Sequence, residues 1–71
     1  MDLQGQFWFD LNRMWWAVED RRVYATGECA QRLTVAQKAV ERALIEARNG
    51  RLLYTQYEAA KAAVMAALEG E

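Results

Sequence analysis

Few residues in this chain are equipped for chemistry, and their spacing suits none of the common reactions. The carboxylates Asp10, Glu19 and Asp20 could supply a general acid and a general base, as paired carboxylates do. On a helix, however, neighbouring side chains point about 100° apart, and surface solvation accounts for all three groups. Cys29 is the single thiol, and with no histidine in the chain it has no base of the usual kind beside it. It falls on an apolar seam, where an inert buried thiol is expected. One cysteine and no histidine also leave the common zinc ligand sets unfilled. The sequence predicts no enzyme, no metal site and no cofactor.

What the chain does carry is material for contact. The run Phe7-Trp8-Phe9-Asp10-Leu11-Asn12-Arg13-Met14-Trp15-Trp16 holds all three tryptophans and both phenylalanines. Each such ring buries roughly 150–250 Å² when covered, so something must cover them. At 71 residues the chain has room for one domain, 1–71, at a size where a lone core gives little stability. A disulfide or a structural metal would help, and neither can be assembled here. Oligomerisation is the expected substitute.

Nine basic and ten acidic residues leave a formal net charge of −1, which gives no bulk attraction for nucleic acid. Asp2, Gln4, Gln6, Asp10, Asn12 and Arg13 interrupt any signal-peptide or membrane-spanning pattern near the N-terminus. The expectation is a soluble, cytoplasmic protein, and a lone unpaired cysteine fits a reducing compartment.

Three helices must position the aromatic run. Over residues 3–25, with Phe7 as the reference direction, Leu3, Leu11, Met14, Val18 and Ala25 fall within about 40° of it, and Trp8 and Trp15 lie on one flank. Phe9, Trp16 and Val23 recur every seventh residue on the opposite side. A helix apolar on two sides must be covered on two sides, so it is either sandwiched centrally or has one face reserved for another chain, and part of that aromatic surface can equally be dimer core. Val23-Tyr24-Ala25-Thr26 can alternatively be read as a short extended segment. Gly5, Gly27, Gly50 and Gly70 read as punctuation, with Thr26 as an N-cap.

Residues 28–48 form the second helix, on a heptad seam of Cys29, Leu33, Ala36, Val40, Ala43 and Ala47 with Leu44 beside it. Thr34 with Gln37 could start that helix later, but the seam runs through it. Lys38/Glu41 and Arg42/Glu46 stand at ion-pair spacing. Asn49-Gly50 closes the helix, and Thr55 with Glu58 forms a capping box for a third one over about 55–69. The stripe of that helix is Tyr57, Ala60, Val64 and Ala67 or Leu68. The fold class expected is all-α: a helical hairpin or three-helix arrangement completed as a bundle by homodimerisation. Phe7, Leu11, Met14, Val18, Leu33, Val40, Leu44, Tyr57 and Val64 are its core or dimer residues.

The run from Ala43 to Lys61, ALIEARNGRLLYTQYEAAK, resembles the short C-terminal domain called SHOCT. In that pattern a leucine-bearing helix ends at a glycine, an aliphatic pair follows, and an aromatic-Glu-x-x-Lys helix begins seven residues after the glycine. Gly50, Leu52-Leu53 and Tyr57-Glu58-Ala59-Ala60-Lys61 match. The threonine departs from it, since Tyr54 intervenes before Thr55. The resemblance covers about a third of the chain and implies an oligomerisation or interaction element.

Function is expected to lie in protein contact. Phe9, Trp16, Val23, Trp8 and Trp15 are the partner-binding candidates, because tryptophan anchors dominate interface energetics. The expected partner is a larger protein that the chain inhibits or recruits, by analogy with small regulators of phages and mobile elements. A helix-turn-helix reading would make Gln56–Leu68 a recognition helix, but it carries Lys61 among alanines and little that reads base edges. A membrane-surface reading needs a basic polar face, and the first helix mixes Asp2, Asp10, Glu19 and Asp20 with Arg13, Arg21 and Arg22.

Overall fold

The computed structural model describes residues 2–69, which fold as three α-helices with no strand among them: α1 (Leu3–Arg22), α2 (Gly27–Arg48) and α3 (Tyr54–Glu69). Each boundary has a local cause. The Asp2 carboxylate accepts the Gln4 N–H at 3.1 Å and starts α1, while Arg21 and Arg22 occupy its last turn, where the helix dipole favours cations. The helix ends short of residue 25 because Tyr24 and Ala25 donate to the Arg21 and Arg22 carbonyls, tightening the chain into a turn. Val23 keeps helical backbone angles, so the extended alternative fails there and Val23 stays in line with Phe9 and Trp16.

Thr26 is extended and precedes α2, but its side chain makes no capping bond; Gly27, at φ +63°, carries the chain through the left-handed region instead. The late start at Thr34 is not used either. Its hydroxyl donates to the Ala30 carbonyl at 2.8 Å within an unbroken helix. At the far end Gly50 has φ +73°, its N–H reaches the Ala47 carbonyl, and the Arg51 N–H reaches Glu46 at 2.9 Å. This paired bonding around a left-handed glycine is the Schellman closure that Asn49-Gly50 predicts. The third helix starts earlier than the Thr55/Glu58 box implies. Gln56 reaches back to the Leu53 N–H at 2.9 Å, and Thr55 stays exposed. Gly5 is no break at all but lies inside α1, where a Cβ would meet Asp2 Oδ2 at 3.2 Å. Gly70 lies outside the described residues.

The helices run up, down and up. Trp15 bonds Glu41 and Glu19 bonds Gln37, so four residues forward on α1 is four residues back on α2, an antiparallel register. Leu11, Val18, Leu33 and Val40 are fully buried, and Phe7, Ala36, Ala43, Ala47, Leu52, Tyr57, Ala60, Val64 and Ala67 complete the core. Met14, Trp15, Ala25, Leu44 and Leu68 are half-buried against it. The alanines of α2 and α3 face one another, which lets those two helices pack closely. Leu3 departs from the expected stripe. One turn ahead of Phe7, at the open end of α1, it is exposed.

The residues that the sequence assigns to the bundle core come together within the three helices. The predicted surface ion pairs are also rearranged. Among the described residues Arg22–Glu19 and Arg32–Glu28 close, at 2.8 and 3.5 Å, while Lys38/Glu41 and Arg42/Glu46 do not; Glu41 accepts the Trp15 indole N–H instead.

One polar clamp holds the α2–α3 loop. Gln4 Nε2 donates to the Leu52 carbonyl and the Leu52 N–H donates to Gln4 Oε1, both at 2.9 Å, so one amide satisfies both backbone groups of a buried residue. Gln4→Ala leaves both without a protein partner and is expected to cost about 1–3 kcal/mol, read from urea unfolding. Gln4→Glu is expected to recover only part of this, because a carboxylate can accept from the N–H but cannot donate to the carbonyl.

Candidate functional site

Large apolar side chains are exposed at Val35, Ile45, Leu53, Tyr54 and Met65, and also along the outward face of α1. Its rotation about the helix axis is fixed from inside. Phe7 stacks on Tyr57 with ring centroids 4.5 Å apart, and Tyr57 Oη donates to Asp10 Oδ2 at 3.2 Å. Leu11 and Val18 are locked in the core, and the Trp15 indole N–H donates to Glu41 Oε2 at 3.0 Å. With the inner stripe held at both ends, the stripe half a turn away must face solvent. Phe9, Trp16 and Val23 are accordingly 60%, 55% and 64% exposed.

The remaining partner-binding candidates separate. Trp8 sits at the flank, where with Gly5, Ala47 and Arg48 it lines a shallow groove between the start of α1 and the end of α2. Trp15 belongs to the α1–α2 seam: it is half-buried against the core, and its edge meets the ring of Trp16 at 4.9 Å. Trp16 therefore has one ring neighbour inside its own chain, where the two-face pattern suggests none.

The groups with chemical potential are spent on structure or dispersed. Asp10 is engaged by Tyr57, whose hydroxyl is pushed up from its ordinary value by burial and by the Asp10 charge. Cys29 is half-buried in the first turns of α2. Among the described residues no group of His, Cys, Asp or Glu side chains is placed to hold a metal ion, and no helix is long and apolar enough to cross a membrane.

Glu19 ties the two long helices together. Its Oε1 accepts Gln37 Nε2 at 2.9 Å, Arg22 Nε at 2.9 Å and Arg22 Nη2 at 2.8 Å. Gln37 is the buried polar residue of the core, and this bond satisfies it. The Gln37 amide first, then Arg22, hold the Glu19 carboxyl below its ordinary value of 4.5. The unfolded chain then takes up the proton before the folded one does. Glu19 contributes its full stabilisation above the ordinary glutamate value, and the contribution is lost as pH falls through the lower, folded value. Thermal melts between neutral pH and about pH 3 should show the wild type losing stability more steeply than Glu19→Gln. Equal slopes would remove Glu19 from the acid response.

Sequence reading missed three of these ties: Gln4 on Leu52, Tyr57 on Asp10, and Gln37 on Glu19. Only Gln37 left a signal, as a polar side chain beside Leu33 and Val40 on the buried side of α2. The others join residues whose separation in sequence carries no periodicity.

Shallow apolar grooves also run along α2 and α3. The larger, about 640 Å³, lies between Val35 and Ala36 on one side and Ala63, Ala66 and Ala67 on the other; the second, about 360 Å³, lies between Ala39 and Ala43 and Gln56 to Ala60. Both are open troughs with alanines at the floor, bordered by Glu28, Gln31 and Arg32 in the first and by Arg42, Glu46 and Gln56 in the second. No protein family model, no curated protein and no solved structure matches this chain.

Proposed function

We propose that this chain is a small non-enzymatic protein–protein interaction module, a regulator that binds a larger protein through the outward face of α1 and so inhibits or recruits it. The observation that carries this reading is the exposure of Phe9, Trp16 and Val23 on a helix whose opposite side buries Phe7, Leu11 and Val18. These side chains are not needed to close the core, and a tryptophan flanked by apolar side chains on a rigid helix is the usual make-up of an interface anchor. Rigidity matters because a pre-ordered surface loses little further entropy on binding. The resemblance of residues 43–61 to an interaction hairpin points to the same class.

The test is capture from native lysate with wild type and Trp16→Ala in parallel. A client retained by wild type and lost from the variant, while both chains melt alike, supports the reading. Identical capture profiles overturn it.

A further inference from the structure

We infer that the outward face of α1 is self-complementary and that its resting occupant is a second copy of this chain, docked antiparallel about a two-fold axis at Trp16. The inference rests on reading that face as the contact surface, and it names the first partner.

Outward from Trp16, the face has Arg13 on one side and Asp20 on the other, then Phe9 and Val23. Its chemistry reads nearly the same from either end, except that the charges invert. In an antiparallel pair centred on Trp16, Phe9 of each chain lies opposite Val23 of the other. Arg13 comes within one residue, about 1.5 Å along the axis, of the opposing Asp20. Arg13 and Asp20 are seven residues apart, as Phe9 and Trp16 are, so both lie on the same flank of the stripe and meet their counterparts twice across the axis. Both are exposed, and among the described residues neither side chain makes a salt bridge or hydrogen bond. A parallel pair would carry this flank to the opposite side of the interface in the second copy, so Arg13 and Asp20 would not meet across it.

The size of the face sets the strength. At roughly 150–250 Å² for a large side chain, the exposed parts of Phe9, Trp16 and Val23 come to about 300–400 Å² per chain, near half of the ~800 Å² a stable interface takes from each partner. The pair is therefore reversible and forms at micromolar concentrations, and a client must displace the second copy to reach Trp16.

The experiment is sedimentation velocity from low micromolar to several hundred micromolar on wild type, Arg13→Glu, Asp20→Arg, the double variant and Trp16→Ala, each checked for folding by circular dichroism. Each single charge reversal is expected to raise the dimer Kd at least about tenfold, and the double variant to return within about threefold of wild type, because the opposing charges are exchanged in both chains. Trp16→Ala is expected to remain monomeric. Should a reversal disturb folding, Arg13→Ala and Asp20→Ala are read in its place, each expected to weaken the dimer. A wild type that stays monomeric across the range overturns the inference, as do single reversals without effect or a double variant no better than the singles. A monomeric wild type that still captures a client lost from Trp16→Ala overturns the self-pairing and leaves the contact reading standing. A dimer with the expected charge pattern that captures no client upholds the pairing and removes the regulator.

Discussion

Leu11→Ala is expected to lower folding stability by about 3–5 kcal/mol, whereas Trp16→Ala, five residues on in the same helix, costs at most about 1 kcal/mol. Leu11 is fully buried, so alanine there removes apolar contacts and leaves a cavity between α1 and the helices it packs on. A chain of 71 residues has a total stability on the order of 4–10 kcal/mol, so that loss leaves much of the population unfolded near physiological temperature. Trp16 is the larger side chain, yet it is 55% exposed, with its ring T-shaped against Trp15. Urea unfolding at a concentration where the chain is monomeric checks both values. If Trp16→Ala costs as much as Leu11→Ala, the outward stripe is part of the protein's own core, and the two-sided account of α1 fails.

Phe7→Ala is expected to cost about 3–5 kcal/mol and, more tellingly, to separate α3 from the rest. Phe7 is the large side chain through which α1 reaches α3: its ring stacks on Tyr57 at 4.5 Å and lies 6.2 Å from Tyr54. The two long helices have further ties through Glu19, Gln37, Trp15 and Glu41, and none of these involves α3. Removing the ring should therefore free α3 before the α1–α2 hairpin opens. Hydrogen exchange is expected to show α3 amides losing protection while those around Val18 and Leu33 keep most of theirs. Uniform loss across all three helices would mean that the bundle unfolds as one unit whatever the site of damage.

The two variants bear on function through one property, the fixed rotation of α1. An interaction face is useful only if it is held in place, and the stack of Phe7 on Tyr57 and the Glu19–Gln37 bond hold the two halves of the helix. A change at Phe7 should thus weaken client binding and self-pairing without touching the outward stripe, whereas Trp16→Ala should remove binding and leave the core. Measuring both properties on both variants separates support from contact.

Much of this protein could be read from its residues because helix burial repeats with a short period. The three helices, the closure at Asn49-Gly50, the buried positions Leu33, Ala36, Val40, Ala43 and Ala47, and the two apolar sides of α1 all follow from spacing within single helices. Local chemistry was less certain where two caps competed: Gln56, not Thr55, ends up serving the start of α3, because bonding the Leu53 N–H lets the helix begin earlier, at Tyr54. Periodicity says nothing about which helix covers which stripe. That Phe7 would find Tyr57 and that Gln4 would satisfy Leu52 are outcomes of packing between distant segments. They depend on how close alanine seams let the axes come and on which buried polar groups can find partners there, and both are properties of the assembled bundle. The same packing turns a second apolar stripe into an exposed one: once α2 and α3 occupy the inner side of α1, Phe9, Trp16 and Val23 have nothing left in their own chain to cover them.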